Sequence, residues 1–112
     1  MRLSTRTIPL FTPHVPSSAI GAVQDVLRGR WIGQGPQVER FETLFREYLD
    51  CRHAAVAVGA GTDALHLAYL LAGIGPGSEV ITPVFTCVAT NAPLLYQGAT
   101  IRFADVQPHT LN

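Results

Sequence analysis

Short apolar runs alternate with helical stretches through the second half of the chain, and this rhythm constrains the fold more than any other feature. Ala54 to Val58 is an apolar run, read as a strand, that passes through Gly59-Ala60-Gly61-Thr62 into a helix expected from about Thr62 to Ala72. Gly73 and the turn Gly75-Pro76-Gly77-Ser78 stop that helix. Glu79 to Thr82 follows as a strand, halted by Pro83. A further helix is expected over roughly Thr86 to Tyr96 with Gly98 as its stop signal, and Ile101 to Ala104 reads as a third strand. Strand, helix, strand, helix, strand at this spacing predicts an α/β fold whose parallel strands are joined by right-handed crossovers.

The first half has a different rhythm. Pro9, Pro13 and Pro16 hold the opening IPLF segment extended. Ser17 or Ser18 is the expected cap of a first helix with Ile20, Val23, Val26 and Leu27 at helical spacing, ending near Gly29. Trp31-Ile32-Gly33-Gln34-Gly35 then leads to Pro36, suited to the first turn of a second helix. That helix gathers Phe41, Leu44, Phe45, Tyr48 and Leu49 on one face, with Glu39, Glu42, Arg46 and Glu47 largely opposite. Nothing in its pattern asks for chemistry.

Two features bear on how much of a fold is present. The stretch Ala64 to Ala72 is apolar nearly all the way round, so it calls for cover on more than one side. Charged residues make up 14% of the 112 residues, against roughly 25% in an ordinary soluble domain. A piece normally buried against further protein carries this bias, whereas a free-standing small domain needs proportionally more charge at its surface. Asn112 stands in polar, loop-like sequence with no closing element after it. The expectation is a part of a larger unit, completed by further sequence or by a partner.

Charge and cysteine placement narrow the function classes. The eight basic residues are all arginines, scattered from Arg2 to Arg102 with no run that would track a phosphate backbone. A nucleic-acid partner is disfavoured. Cys51 and Cys87 lack metal-site and redox spacing, and they read as free thiols of a reducing compartment. His14, His53, His66 and His109 show no ligand spacing and read as structural or solvated. MRLSTRTIPLF lacks the apolar stretch of a signal peptide, and Ala64 to Ile74 is too short to span a bilayer. A soluble cytoplasmic protein with no membrane partner is the expectation.

The turn Gly59-Ala60-Gly61-Thr62-Asp63-Ala64 is a physical anion site. Glycines let a ligand approach the backbone, the first helical N–H groups lack partners, and the Thr62 hydroxyl adds a donor. A phosphate there gains about 1.5–3 kcal/mol per charge-assisted hydrogen bond and about 0.3–1 kcal/mol from the helix dipole. Gly59-x-Gly61-x-x-Ala64 also fits the dinucleotide fingerprint formally. Glu79 has the spacing of the ribose-binding acid but opens its strand instead of closing it. A Walker loop is excluded, because its Gly-Lys-Ser/Thr is absent. An ordinary tight strand-to-helix turn remains open beside the anion site.

Taken together, IPLFTP, WIGQGPQVERFE, VGAGTDALHLAYLLAGIGPGSEVITPVFTCVATNAPLL and GATIRFADV resemble, in order and spacing, the nucleotide-sugar aminotransferases of the DegT/DnrJ/StrS type. The resemblance spans nearly all of this chain but only the opening part of the family's length. It implies a three-layer α/β/α architecture, the N-terminal portion of the large domain of a fold-type I pyridoxal-phosphate (PLP) enzyme. Residues 1–52 would form an N-terminal segment with two helices, and 53–112 the incomplete start of the PLP-binding domain. The resemblance also implies a homodimeric parent that moves an amino group, typically from glutamate, to a nucleotide-linked keto sugar.

Residue by residue, the resemblance gives the cofactor's phosphate to Gly61, Thr62 and Asp63, with the Asp63 carboxylate pointing away. Cys87 occupies the position where the family commonly stacks an aromatic ring on the pyridine; a thiol packs against that ring without stacking, and a buried core thiol is the alternative. Phe85 and Trp31 read as packing residues, and Asp105 as the organiser of a turn. The family's chemistry also needs a lysine that binds the cofactor covalently and moves protons, and an acid on the ring nitrogen. No lysine occurs in these 112 residues. The chain alone is therefore expected to be inactive and to hold PLP without a covalent bond. A non-catalytic interaction module of the same fold, or a dinucleotide-binding oxidoreductase domain, are the alternatives.

Overall fold

A computed structural model describes residues 9 and 11–111, so Ile8 and Leu10 of the IPLF segment lie outside the described residues. The chain forms two compact units, one ending at Ala55 and one beginning at Val56.

The first unit carries two helices, α1 (Ser17–Arg28) and α2 (Pro36–Tyr48). Ser17 does not cap α1. The capping position is Pro16, extended at φ −66° and ψ 146°, and no side chain bonds there. Proline has the φ that a helix entrance needs, so the serines fall inside the first turn. Pro36 opens α2 as its composition suggests. Phe41 and Phe45 stack at 5.7 Å between ring centroids, one turn apart on the apolar face. Neither helix has a buried residue, and Ile20, Val23, Leu27 and Leu44 are all more than half exposed.

The two helices end without a glycine in the left-handed region. Arg30 follows α1 at φ 59°, and Asp50 follows α2 at φ 48°. Around Asp50 the closing bonds run from Asp50 N to Glu47 O and from Cys51 N to Arg46 O, the double pattern of a Schellman end. Aspartate tolerates this backbone better than most residues, though less well than glycine.

The second unit contains α3 (Gly61–Leu71), β1 (Glu79–Pro83), α4 (Val88–Tyr96) and β2 (Thr100–Ala104). The strands pair in parallel, Glu79 facing Thr100 and Pro83 facing Ala104. Arg102 Nε donates to Glu79 Oε2 at 2.8 Å across the pair, on an exposed edge. Both helices end as the glycines predict. Gly73 (φ 74°) and Gly98 (φ 72°) take the left-handed position, and Ile74 N and Ala99 N close onto Tyr69 O and Leu94 O.

The expected strand over Ala54 to Val58 does not form. Among the described residues the sheet has the order β1-β2 and no third member. Strand geometry persists only where a ladder fills it, and this run has no place in that ladder; Val56 is left 71% exposed. The third helix pattern also begins later than expected, at Val88, because Cys87 is still extended (φ −64°, ψ 139°).

The core of this unit centres on α4. Leu94 is 1% exposed, and Pro93, Ala99, Thr82 and Gln97 are buried beside it. Helix α3 packs on α4. His66 meets Tyr96 edge-on at 5.8 Å, and Gln97 Nε2 donates to the His66 carbonyl at 3.1 Å. The remaining faces of α3 have no cover in this unit: none of its residues is buried, and Leu70 and Leu71 are exposed.

Candidate functional site

The turn into α3 is built to leave hydrogen-bond donors free. Ala60 precedes the helix in extended conformation (φ −156°, ψ 161°) and has no side-chain oxygen to cap it. The first intrahelical bond is Ala64 N to Ala60 O at 3.1 Å. The N–H groups of Gly61, Thr62 and Asp63 therefore emerge at the helix start with no acceptor among the described residues, at the positive end of the helix dipole. The Thr62 hydroxyl, half-buried, likewise has no hydrogen-bond partner among the described residues.

Space around these donors is open. A Cβ placed on Gly61 would meet nothing within 4 Å, so the glycine leaves room for a ligand rather than relieving a protein contact. Gly59 differs, because a Cβ there would lie 3.1 Å from Asp63 Oδ2. The Asp63 carboxylate is thus turned back to the Gly59 end of the turn. Its negative charge opposes an incoming anion, and the three N–H groups with Thr62 must offset it. Three backbone donors, one hydroxyl and an open approach fit a phosphate group on a small cofactor.

Cys87 is the capping residue of α4, with its thiol exposed. It closes the loop Val84–Cys87, which leaves β1 at the carboxyl ends of the parallel strands, where ligands of α/β sheets bind. An open cleft lies beside it, lined by Val84, Phe85, Phe103, Ala104, Asp105 and Val106. Asp105 does organise a local turn, its Oδ1 accepting from Val106 N at 2.8 Å. Cys87 and the Gly61 turn thus sit at the first turns of two helices packed on each other.

The loop is held by side chains that periodicity alone does not single out. Thr82 Oγ1 donates to Asn91 Oδ1 at 2.8 Å, and Asn91 Nδ2 donates to the Pro83 carbonyl at 3.4 Å. The hydroxyls of Thr86 and Thr90 meet at 3.1 Å, and the Tyr69 hydroxyl of α3 donates to the Thr90 carbonyl at 3.1 Å. The available signal was a strand-end Thr followed by Thr86, Thr90 and Asn91 at one-turn spacing, which local propensity treats as mere helix entry.

Glu79, which the dinucleotide reading needs at a strand's end, opens β1 and pairs with Arg102. Among the described residues no cluster of His, Cys, Asp and Glu is suited to hold a metal ion, and no helix is long and apolar enough to cross a membrane.

Comparison with known proteins places this geometry in context. The model of the DegT/DnrJ/EryC1/StrS aminotransferase family matches residues 14–112. The spore coat polysaccharide biosynthesis protein SpsC of Bacillus subtilis is 40% identical over 105 residues, covering 94% of this chain and 27% of SpsC. Among solved structures, the PLP form of the putative sugar aminotransferase Spr1654 from Streptococcus pneumoniae superposes with a TM-score of 0.80 at 32% identity. That match covers 95% of this chain and 27% of Spr1654. The aminotransferase TlmJ from Streptoalloteichus hindustanus gives 0.79 at 36% identity, covering 94% and 29%. The chain thus spans just over a quarter of the length of these relatives.

Proposed function

The chain belongs to the DegT/DnrJ/EryC1/StrS aminotransferase family, and from that premise we propose that it is the cofactor-anchoring N-terminal portion of an enzyme that transfers an amino group to a nucleotide-linked keto sugar. The fold is α/β, of the fold-type I PLP aminotransferases, and PLP is the family's cofactor. In this reading residues 53–112 begin the PLP-binding large domain, residues 1–52 precede it, and glutamate is the amino donor. The assembled enzyme is a cytoplasmic homodimer. The large apolar side chains left exposed on α1, α2 and α3 support a larger assembly, since a solitary domain rarely presents so much.

One observation carries the proposal: three N–H groups and the Thr62 hydroxyl, without partners among the described residues, lie together at the start of α3, directly after a glycine-bearing turn. Gly61, Thr62 and Asp63 bind the phosphate through these donors. Cys87 packs its sulfur against the ring, a contact that orients without stacking. When bound, PLP supplies the electron sink through which an amino group changes carbon. The proton transfers of that reaction require a lysine, and this chain contains none. By itself, the chain holds the cofactor and does not turn substrate over.

Titration with pyridoxamine phosphate and with pyridoxamine tests this reading. The phosphorylated compound binds and the dephosphorylated one does not. Borohydride treatment with PLP leaves no reduced adduct on a side chain. Turnover of a keto-sugar nucleotide by the purified chain, or binding indifferent to the phosphate, would overturn it.

A further inference from the structure

We propose that Asn91 is a positioning residue for the cofactor, acting through Cys87 by clamping the Val84–Cys87 loop; the inference rests on Cys87 being the ring contact. The loop has two ends, and side chains from the first turns of α4 hold both. At its start, Asn91 accepts from Thr82 at 2.8 Å and donates to the Pro83 carbonyl, joining the last two residues of β1 to the helix. Near its finish, Thr90 meets Thr86 at 3.1 Å, one residue before Cys87. Tyr69 ties the same turn of α4 to α3, the helix that carries the phosphate donors.

The chemistry of the clamp separates it from ordinary packing. Thr82 is 6% exposed, next to the apolar Ile81 and Pro83, and among the described residues its hydroxyl is bonded to the Asn91 side chain. A buried hydroxyl and an amide cost desolvation that an apolar pair would avoid. What the polar pair adds is direction: one amide group meets a side chain and a carbonyl on consecutive residues, which an apolar contact cannot do. Within the loop itself Thr86 N donates to the Val84 carbonyl at 2.9 Å, while Val84, Phe85 and Cys87 are all exposed and gain no order from burial. The clamp sets where the thiol stands relative to the Gly61 turn without touching the ligand.

The test uses this chain with Cys51→Ser, so that Cys87 is the one thiol. A nitroxide label on Cys87 reports loop order in the folded chain without any cofactor. Asn91→Leu and Thr82→Val shorten its rotational correlation time by about twofold or more, whereas Thr82→Ser, which keeps the hydroxyl, restores the parent line shape. Asn91→Asp keeps the acceptor and loses the Pro83 bond, and gives an intermediate line shape if Asn91→Leu does not fold. Unlabelled Asn91→Leu loses about fivefold in affinity for pyridoxamine phosphate while inorganic phosphate, which touches only the α3 turn, binds as before. Unchanged label mobility in every variant overturns the clamp. A clamp seen by the label, with pyridoxamine phosphate held no better than inorganic phosphate by the parent chain, overturns instead the assignment of Cys87 as the ring contact.

Discussion

The indole of Trp31 lies against the α-carbon of Gly35, so close that any Cβ at Gly35 would overlap its five-membered ring. The same indole donates from Nε1 to the Gln34 carbonyl at 2.8 Å, folding the loop between α1 and α2 over its own ring. Gly35 is extended (φ −167°), so its backbone accepts any residue; the glycine is required by the ring and not by the turn. Ala at this position should expel the indole while leaving both helices intact. Trp31 is the single tryptophan of the chain, so the change is read as a shift in its fluorescence maximum. The cost in stability should not exceed about 1 kcal/mol, because the ring is already largely exposed and can swing outward.

Gly61→Ala should separate folding from binding. No atom obstructs a methyl group there, and alanine in a helix is favoured over glycine by about 0.5–1 kcal/mol, so the melting temperature should hold or rise. The methyl group nonetheless occupies the ligand's approach. Loss of even one charge-assisted bond, about 1.5–3 kcal/mol, weakens pyridoxamine phosphate binding tenfold or more.

Thr62→Val removes a hydroxyl that has no partner among the described residues, so stability should be unchanged. Phosphate affinity should fall by about tenfold, and Thr62→Ser should recover most of it. A loss of stability in the valine variant would show that the hydroxyl serves the fold instead.

Asp63→Asn removes the charge that faces the turn. Two unit charges a few ångströms apart in water repel by about 1 kcal/mol, so phosphate should bind roughly fivefold tighter at low salt. The gain should fade as ionic strength rises past about 0.1 M, where the screening length is about 10 Å. Titration at two salt concentrations decides the matter.

Leu94→Ala tests where the second unit keeps its stability. Leu94 is 1% exposed at the centre of a small core, and such truncations cost about 2–5 kcal/mol. That is a large share of a marginal total, so the variant should lose cooperative unfolding in a denaturant titration.

Much of the local structure was legible because its causes are local. Pro36 marks a helix start, and Gly73 and Gly98 mark helix ends, through φ values that each residue carries with it. The turn into α3 was legible for the same reason, since a glycine-bearing turn that opens a helix is set by the backbone of those residues themselves. Serine capping of α1 was not legible there, because Pro16 supplies the entrance geometry and moves the serines into the first turn.

The rest depends on partners distant in sequence. Ala54 to Val58 has strand composition, yet a strand exists only by hydrogen bonds to a neighbour, and among the described residues β1 and β2 pair without it. Asn91 reads as an unremarkable helical residue until α4 lies against the end of β1 and brings Thr82 within 2.8 Å. The sequence by itself determined where helices were stopped by Gly73 and Gly98, where Pro36 opened one, and the glycine turn into α3, because backbone conformational preference is a property of single residues. Only the tertiary structure decided which runs paired, which faces stayed bare and how the Cys87 loop was held, because those are properties of contacts that no single residue contains.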